Sequence, residues 1–181
     1  NKLIIWTKSV DCCLLSVDLK KRKKALLLTI ALLFSAMAFA QNRASFVDES
    51  FNGSELPGGW TTSEVGTNNW KISLTTYSGG DGNELKLSWD PKFEGVTRLI
   101  TTPFNLSEVE EMVVSFKHFF DNFRDNEFTH TIGIATSSDN GATWNTGWSQ
   151  EYTMTGVYDV KATFTTSDMG KNNVILYLFY E

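Results

Sequence analysis

The chain has 181 residues, and residues 1–40 hold seven of its 16 Lys and Arg but only two of its 21 Asp and Glu. The remaining 141 residues therefore carry 9 basic against 19 acidic side chains, a net charge of about −10. That balance excludes nucleic acid and anionic membrane surfaces as partners, because a phosphate backbone demands clustered Lys and Arg.

The first 40 residues read as processing signals. Lys20-Lys21-Arg22-Lys23-Lys24 precedes an apolar run from Ala25 to Ala40 that ends Ala38-Phe39-Ala40. These are the basic, apolar and small-residue parts of a secretory signal peptide, with cleavage expected after Ala40. The run is shorter than the roughly 20 residues that span a bilayer, so the mature protein is expected to have no membrane span and to be secreted or held at the cell surface. Residues 19–40 are assigned to the signal peptide. Residues 1–18, which contain no Met, are read as an untranslated or non-native leader. Both cysteines, Cys12 and Cys13, fall in this leader, so the exported domain, residues 41–181, must fold without a disulfide.

Beyond Gln41 the hydrophobic pattern has period two. Leu85, Leu87 and Trp89 alternate, as do Met112, Val114, Phe116 and Phe120, then Ile132 and Ile134, and the run closes with Val174 to Tyr180. Turn clusters separate these runs: Pro57-Gly58-Gly59, Ser78 to Asn83, and Asp139-Asn140-Gly141. Only Ser107 to Glu111 has the look of a helical turn. The expected fold is all-β, eight or nine strands in a two-sheet antiparallel β-sandwich of jelly-roll type. The Val174–Tyr180 run is the most apolar of the domain and is read as an open strand. On that ground a further strand is expected to follow, so the domain is read as C-terminally truncated.

Ser137-Ser138-Asp139-Asn140-Gly141-Ala142-Thr143-Trp144 is the most constrained stretch. Asp139 is placed to accept backbone N–H groups two residues on, Gly141 to take positive φ, Thr143 to resume a strand and Trp144 to bury a large apolar surface. The S-x-D-x-G-x-T-W spacing resembles the Asp-box, a hairpin repeated in sialidases and found singly in other secreted β-proteins. With one copy in a chain too short for a propeller, Ser137, Asp139, Gly141, Thr143 and Trp144 are read as a structural hairpin.

From Phe46 to Glu181 the order of motifs resembles the choice-of-anchor J domains, which include the cleaved-adhesin modules of Bacteroidetes-type secreted proteins and are similar to MAM-like, concanavalin-like jelly rolls. The segments that carry it are Asp48-Glu49-Ser50-Phe51 with Leu56 to Trp60, Asn69-Trp70, Glu84 to Trp89, Thr97 to Pro103, Val114 to His118, and the Asp-box. The resemblance implies a noncatalytic sandwich used for adhesion, or for holding carbohydrate or protein ligands, outside a bacterial cell. It also implies calcium, with Asp48, Glu49, Asp81 and Asn83 as its ligands. The turn reading of Asp81 and Asn83, among Gly79, Gly80 and Gly82, stands beside it.

Stacking against a sugar needs exposed aromatic rings, and Tyr77, Phe93, Phe123 and Trp148 fall in loop-like positions that could supply them. Trp89 sits in register with Leu85 and Leu87 and is assigned to the core. No catalytic residue is assigned. Glu108 and Glu110 stand two apart but read as a solvated turn, not as a glycosidase pair. His118 shares a face with Phe116 and Phe120 and has no G-x-S-x-G elbow to serve. The sequence thus predicts a secreted binding or adhesion module that is not an enzyme, its partner an extracellular glycan or a host or matrix protein. An accessory domain of a larger exported protease or glycosidase is the alternative.

Overall fold

The computed structural model describes residues 2–5, 47–123 and 129–181. The signal peptide, its cleavage site and both cysteines lie outside the described residues. Among the described residues there are ten strands: β1 (Lys2–Ile5), β2 (Thr61–Glu64), β3 (Trp70–Ser73), β4 (Glu84–Leu87), β5 (Thr97–Ile100), β6 (Met112–Asp121), β7 (His130–Ser137), β8 (Asn145–Tyr152), β9 (Gly156–Phe164) and β10 (Ile175–Tyr180). They form two sheets, in the orders β3-β4-β1-β6-β9 and β2-β5-β10-β7-β8. Every pairing is antiparallel, as the all-β sandwich reading requires.

The period-two pattern explains the layering, since alternate side chains of a strand point to opposite faces. Along β6, Met112, Val114, Phe116, His118 and Phe120 are buried, while Lys117 between them is exposed. They meet Leu99 of β5, Ile132 and Ile134 of β7, and Leu176, Leu178 and Tyr180 of β10, in one core that also takes Phe51, Trp70, Leu85 and Leu87. Each fully buried Leu or Phe contributes about 2 kcal/mol on the transfer scale. Trp89 is half-buried and packs against this core.

The most apolar strand is not open. β10 lies between β5 and β7 and is hydrogen-bonded on both edges. Its alternate residues Tyr177 and Phe179 form a second, smaller cluster with Ala135, covered by Val96, Ile100 and Trp144. An uninterrupted apolar run is what a strand buried on both faces looks like. The order of strands in the sheet, which differs from their order in the chain, places it there.

Ser107–Glu111 is a turn, closed by the Val109 N–H donating to the Leu106 carbonyl at 2.9 Å. The one helical element among the described residues is a short 3₁₀ turn at Thr67–Asn69. The β7–β8 pairing slips at Ile134/Ala135, so that Gly147 is passed over between Thr146 and Trp148. A Cβ on Gly147 would stand 2.2 Å from the Phe164 ring, so the residue is small because β9 presses on it.

Candidate functional site

The Ser137–Trp144 hairpin joins β7 to β8 and shapes one rim of the site. The Ser137 hydroxyl donates to Asp139 Oδ1 at 2.7 Å and accepts the Gly141 N–H at 2.8 Å. Asp139 then reaches Thr143 twice, accepting its N–H at 2.9 Å and its hydroxyl at 2.6 Å. These bonds, those from Thr143 first, hold the Asp139 carboxyl down at about 2. Gly141 takes φ +86 as expected, and Asn140 joins it at φ +58.

Two details of the sequence reading are corrected here. Asp139 bonds four residues on and leaves the Gly141 N–H to Ser137, because two successive left-handed residues widen the turn. The strand resumes at Asn145, not at Thr143. Trp144 is half-buried and packs on the smaller apolar cluster, so it covers apolar surface as read. Its ring stands edge-on to Tyr177 at 4.2 Å, on the outer face of the second sheet.

Buried Asp168 ties this hairpin to the β9–β10 connection, accepting the Thr136 hydroxyl at 2.7 Å and the Asn145 amide at 2.9 Å. Burial alone would raise its pKa, but bonds from Ser138, Asn145 and Thr136, with the charge of Lys171, outweigh that and hold it below the ordinary value.

Beside Trp144 a groove of about 440 Å³ runs over β2, β5 and the start of β10, lined by Ser63, Glu64, Arg98, Thr102, Asn140 and Trp144 among others. Arg98 is its centre. Thr97 and Leu99 point inward along β5, so Arg98 points out. Its guanidinium carbon lies 5.2 Å from the Tyr177 ring centre and 5.9 Å from that of Trp144, within cation–π range. Its Nη1 bonds Glu64 Oε1, and its Nε is buried without a partner among the described residues. Burial raises the Tyr177 phenol, a hydrogen bond and the charge of Arg98 acting the other way. Glu64 takes φ +67, a left-handed conformation uncommon outside glycine, at the end of β2 where it meets Arg98.

The predicted stacking residues separate. Tyr77 and Phe123 are exposed, at 52% and 73%. Tyr77 lies 5.5 Å from the Phe119 ring, and its backbone N–H donates to Glu84 at 2.7 Å. Phe93, read as a loop candidate, is a core residue 5.1 Å from Trp89 and 6.2 Å from Tyr180. Trp148, read the same way, is half-buried within β8 and meets Phe116 edge-on at 5.6 Å. Phe93 is covered by Trp89 and Tyr180, and Trp148 makes one edge contact with the opposite sheet.

The calcium set is not drawn together as one cage. Asp48 and Asp81 are exposed, and Glu49 accepts the Phe51 N–H at 2.7 Å. Asn83 presents its amide N–H to the carbonyls of Gly53 at 2.7 Å and Asn52 at 3.4 Å, which uses as hydrogen-bond acceptors the oxygens a cation would need. Among the described residues no three His, Cys, Asp or Glu side chains cluster. Among the described residues the four are not gathered into one site, and no chemistry is assigned to a calcium ion.

Sequence reasoning missed Arg98, Glu64 and Glu84. Alternation with Leu99 marks Arg98 as outward-facing, but nothing local marks Glu64 as its partner. Glu84 is buried and accepts the Tyr77 and Ser78 N–H groups; burial raises its pKa against those bonds. It fixes the loop that carries Tyr77. Compared with protein-family models, curated proteins and solved structures, the chain shows no match.

Proposed function

We propose that this chain is an exported, noncatalytic β-sandwich module that binds a carbohydrate or protein ligand at the bacterial exterior, with the groove over Arg98 as its binding surface. The observation that carries this reading is the Trp144, Arg98 and Glu64 constellation lining one groove. An indole presents an apolar surface to the face of a sugar ring, while a guanidinium and a carboxylate fixed side by side present donors and acceptors to vicinal hydroxyls. Thr61, Ser63, Thr102 and Asn140 add short polar groups along the same walls. Arg98 is held by two rings and Glu64, so little side-chain entropy is lost when a ligand arrives.

The test is binding of the full chain to arrays of glycans and matrix proteins, followed by titration of the ligands found. Glu64→Gln, which keeps the shape of the groove, is expected to weaken binding by about tenfold, the effect of one charge-assisted hydrogen bond. A folded chain that binds nothing on either array, or whose ligands bind Glu64→Gln and Trp144→Ala unchanged, rules out this surface.

A further inference from the structure

The chain holds two Asn-Gly pairs, Asn52-Gly53 and Asn140-Gly141. In such a pair the backbone nitrogen of the glycine can reach the Asn side-chain Cγ and close a five-membered imide. Glycine puts no Cβ in the way and leaves the backbone free to turn. The covalent chemistry open to the two pairs is the same, and the fold separates them.

At the second pair the attacking nitrogen is tied. The Gly141 N–H donates to the Ser137 hydroxyl at 2.8 Å. Ser137 is fully buried, and its hydroxyl is fixed in turn by donating to Asp139 Oδ1 at 2.7 Å. Asp139 accepts the Thr143 N–H and hydroxyl, which closes the far side of the same turn. An amide held in this way must break its bond before its proton passes to solvent, so the ring closes only when the hairpin opens.

The first pair has no such restraint. Asn52 and Gly53 are exposed and lie outside the strands. Their carbonyl oxygens accept the Asn83 amide at 3.4 and 2.7 Å, and the Asn52 side chain rests on Gly82, which has no Cβ to displace it. Neither contact engages the Gly53 nitrogen, whose N–H donates to no group among the described residues.

We propose that Asn52 is a site of spontaneous covalent modification, at which the side-chain amide is lost through an imide formed with Gly53, and that Ser137 withholds the same reaction from Asn140. Hydroxide from solvent takes the Gly53 N–H proton. The nitrogen then forms a bond to Asn52 Cγ, and the Cγ–Nδ2 bond breaks, with Nδ2 leaving as ammonia on taking a proton from water. A second water opens the imide at either carbonyl, giving Asp at one and isoaspartate at the other, with no change of oxidation state. Either product adds one negative charge, and isoaspartate adds a backbone carbon, between Phe51 in the core and the start of β2. Asn140 lines the groove beside Arg98, so the Ser137 hydroxyl keeps that wall from gaining a carboxylate.

The test holds the folded full chain in mildly alkaline buffer for weeks and reads the change of amide to acid at each Asn by mass spectrometry of its peptides. Asn52 is expected to convert at least about tenfold faster than Asn140, the effect of one hydrogen bond on the open population. In denaturant the two are expected to convert at similar rates. Gly53→Ala, whose Cβ meets nothing closer than 3.7 Å, is expected to slow Asn52 while the chain stays folded. Ser137→Ala is expected to speed conversion of Asn140 and to leave Asn52 unchanged. An intact Asn52, equal rates in the folded chain, or a difference that persists in denaturant overturns the proposal. So does an Asn140 that stays slow in folded Ser137→Ala. Should that variant unfold, the folded and denatured rates of the unsubstituted chain decide the matter without it.

Discussion

His118 Nε2 and the Tyr152 hydroxyl meet at 2.9 Å inside the sandwich, and the Tyr158 ring stacks on the imidazole with centroids 5.3 Å apart. The other ring nitrogen, Nδ1, is buried without a partner among the described residues. A neutral imidazole satisfies this site and an imidazolium does not, so burial pushes the His118 pKa down to about 4.

A depressed histidine stabilises the fold fully above its unfolded value of about 6.5, and that stability is lost as the pH falls toward and through 4. The expected loss is about 3 kcal/mol across this window. Thermal melts of the chain and of His118→Phe from pH 7.5 to 4 check it. The difference between the two profiles removes the contributions of Glu84 and Asp168, and it should shrink with falling pH. A constant difference would contradict the assignment.

Asp139 titrates on the other side. Its carboxyl, held near 2 by Thr143 and Ser137, keeps the hairpin closed at any pH above the ordinary carboxylate range, and the bonds are lost as the pH falls through 2. Asp139→Ala is expected to lower the Tm and to raise amide exchange at Thr143. Exchange at Gly141, bonded to Ser137, should rise less. Residue-resolved exchange separates the two effects.

Gly147→Ala is expected to destabilise the chain by about 1–3 kcal/mol, because the new Cβ meets the Phe164 ring at 2.2 Å. Phe164→Leu should recover part of that loss in the double variant. Denaturant unfolding of the four proteins gives the coupling, and additivity would show that the two residues are not pressed together.

Arg98→Met removes two cation–π contacts and leaves Glu64 without its partner. A loss of about 1–2 kcal/mol is expected, most of it from the ring contacts, since a half-exposed ion pair contributes little. Addition of 1 M salt should lower the stability of the unsubstituted chain by much less than the mutation does. Equal effects would mean that the ion pair, not the rings, holds Arg98.

The faces of the strands were legible in the sequence. Met112 to Phe120 and Ile132 to Ile134 alternate as read, and His118 lies among aromatic rings on the inner face where alternation with Phe116 and Phe120 puts it. The solvated turn at Glu108 and Glu110 is exposed, as its composition indicates. The readings that failed concern loops and partners. Phe93 follows the cis Asp90–Pro91 bond in a segment that looks like a surface loop, yet it packs on Trp89 and Tyr180. Trp148 lies in a strand whose pattern is broken by the bulge at Gly147, so its inward direction is hidden from a simple count of two.

By itself the sequence determined an antiparallel sandwich and which side chains of each strand face its core, because that information is local and repeats every second residue. Only the tertiary structure decided which strands are neighbours. It placed β10 between β5 and β7, brought Glu64 to Arg98 across 34 residues, and paired β1 with both β4 and β6. The edges that join strands are backbone N–H and C=O groups, the same for nearly every residue type. Side-chain pattern therefore assigns a face and stays silent on the neighbour, and packing of the whole chain makes that choice.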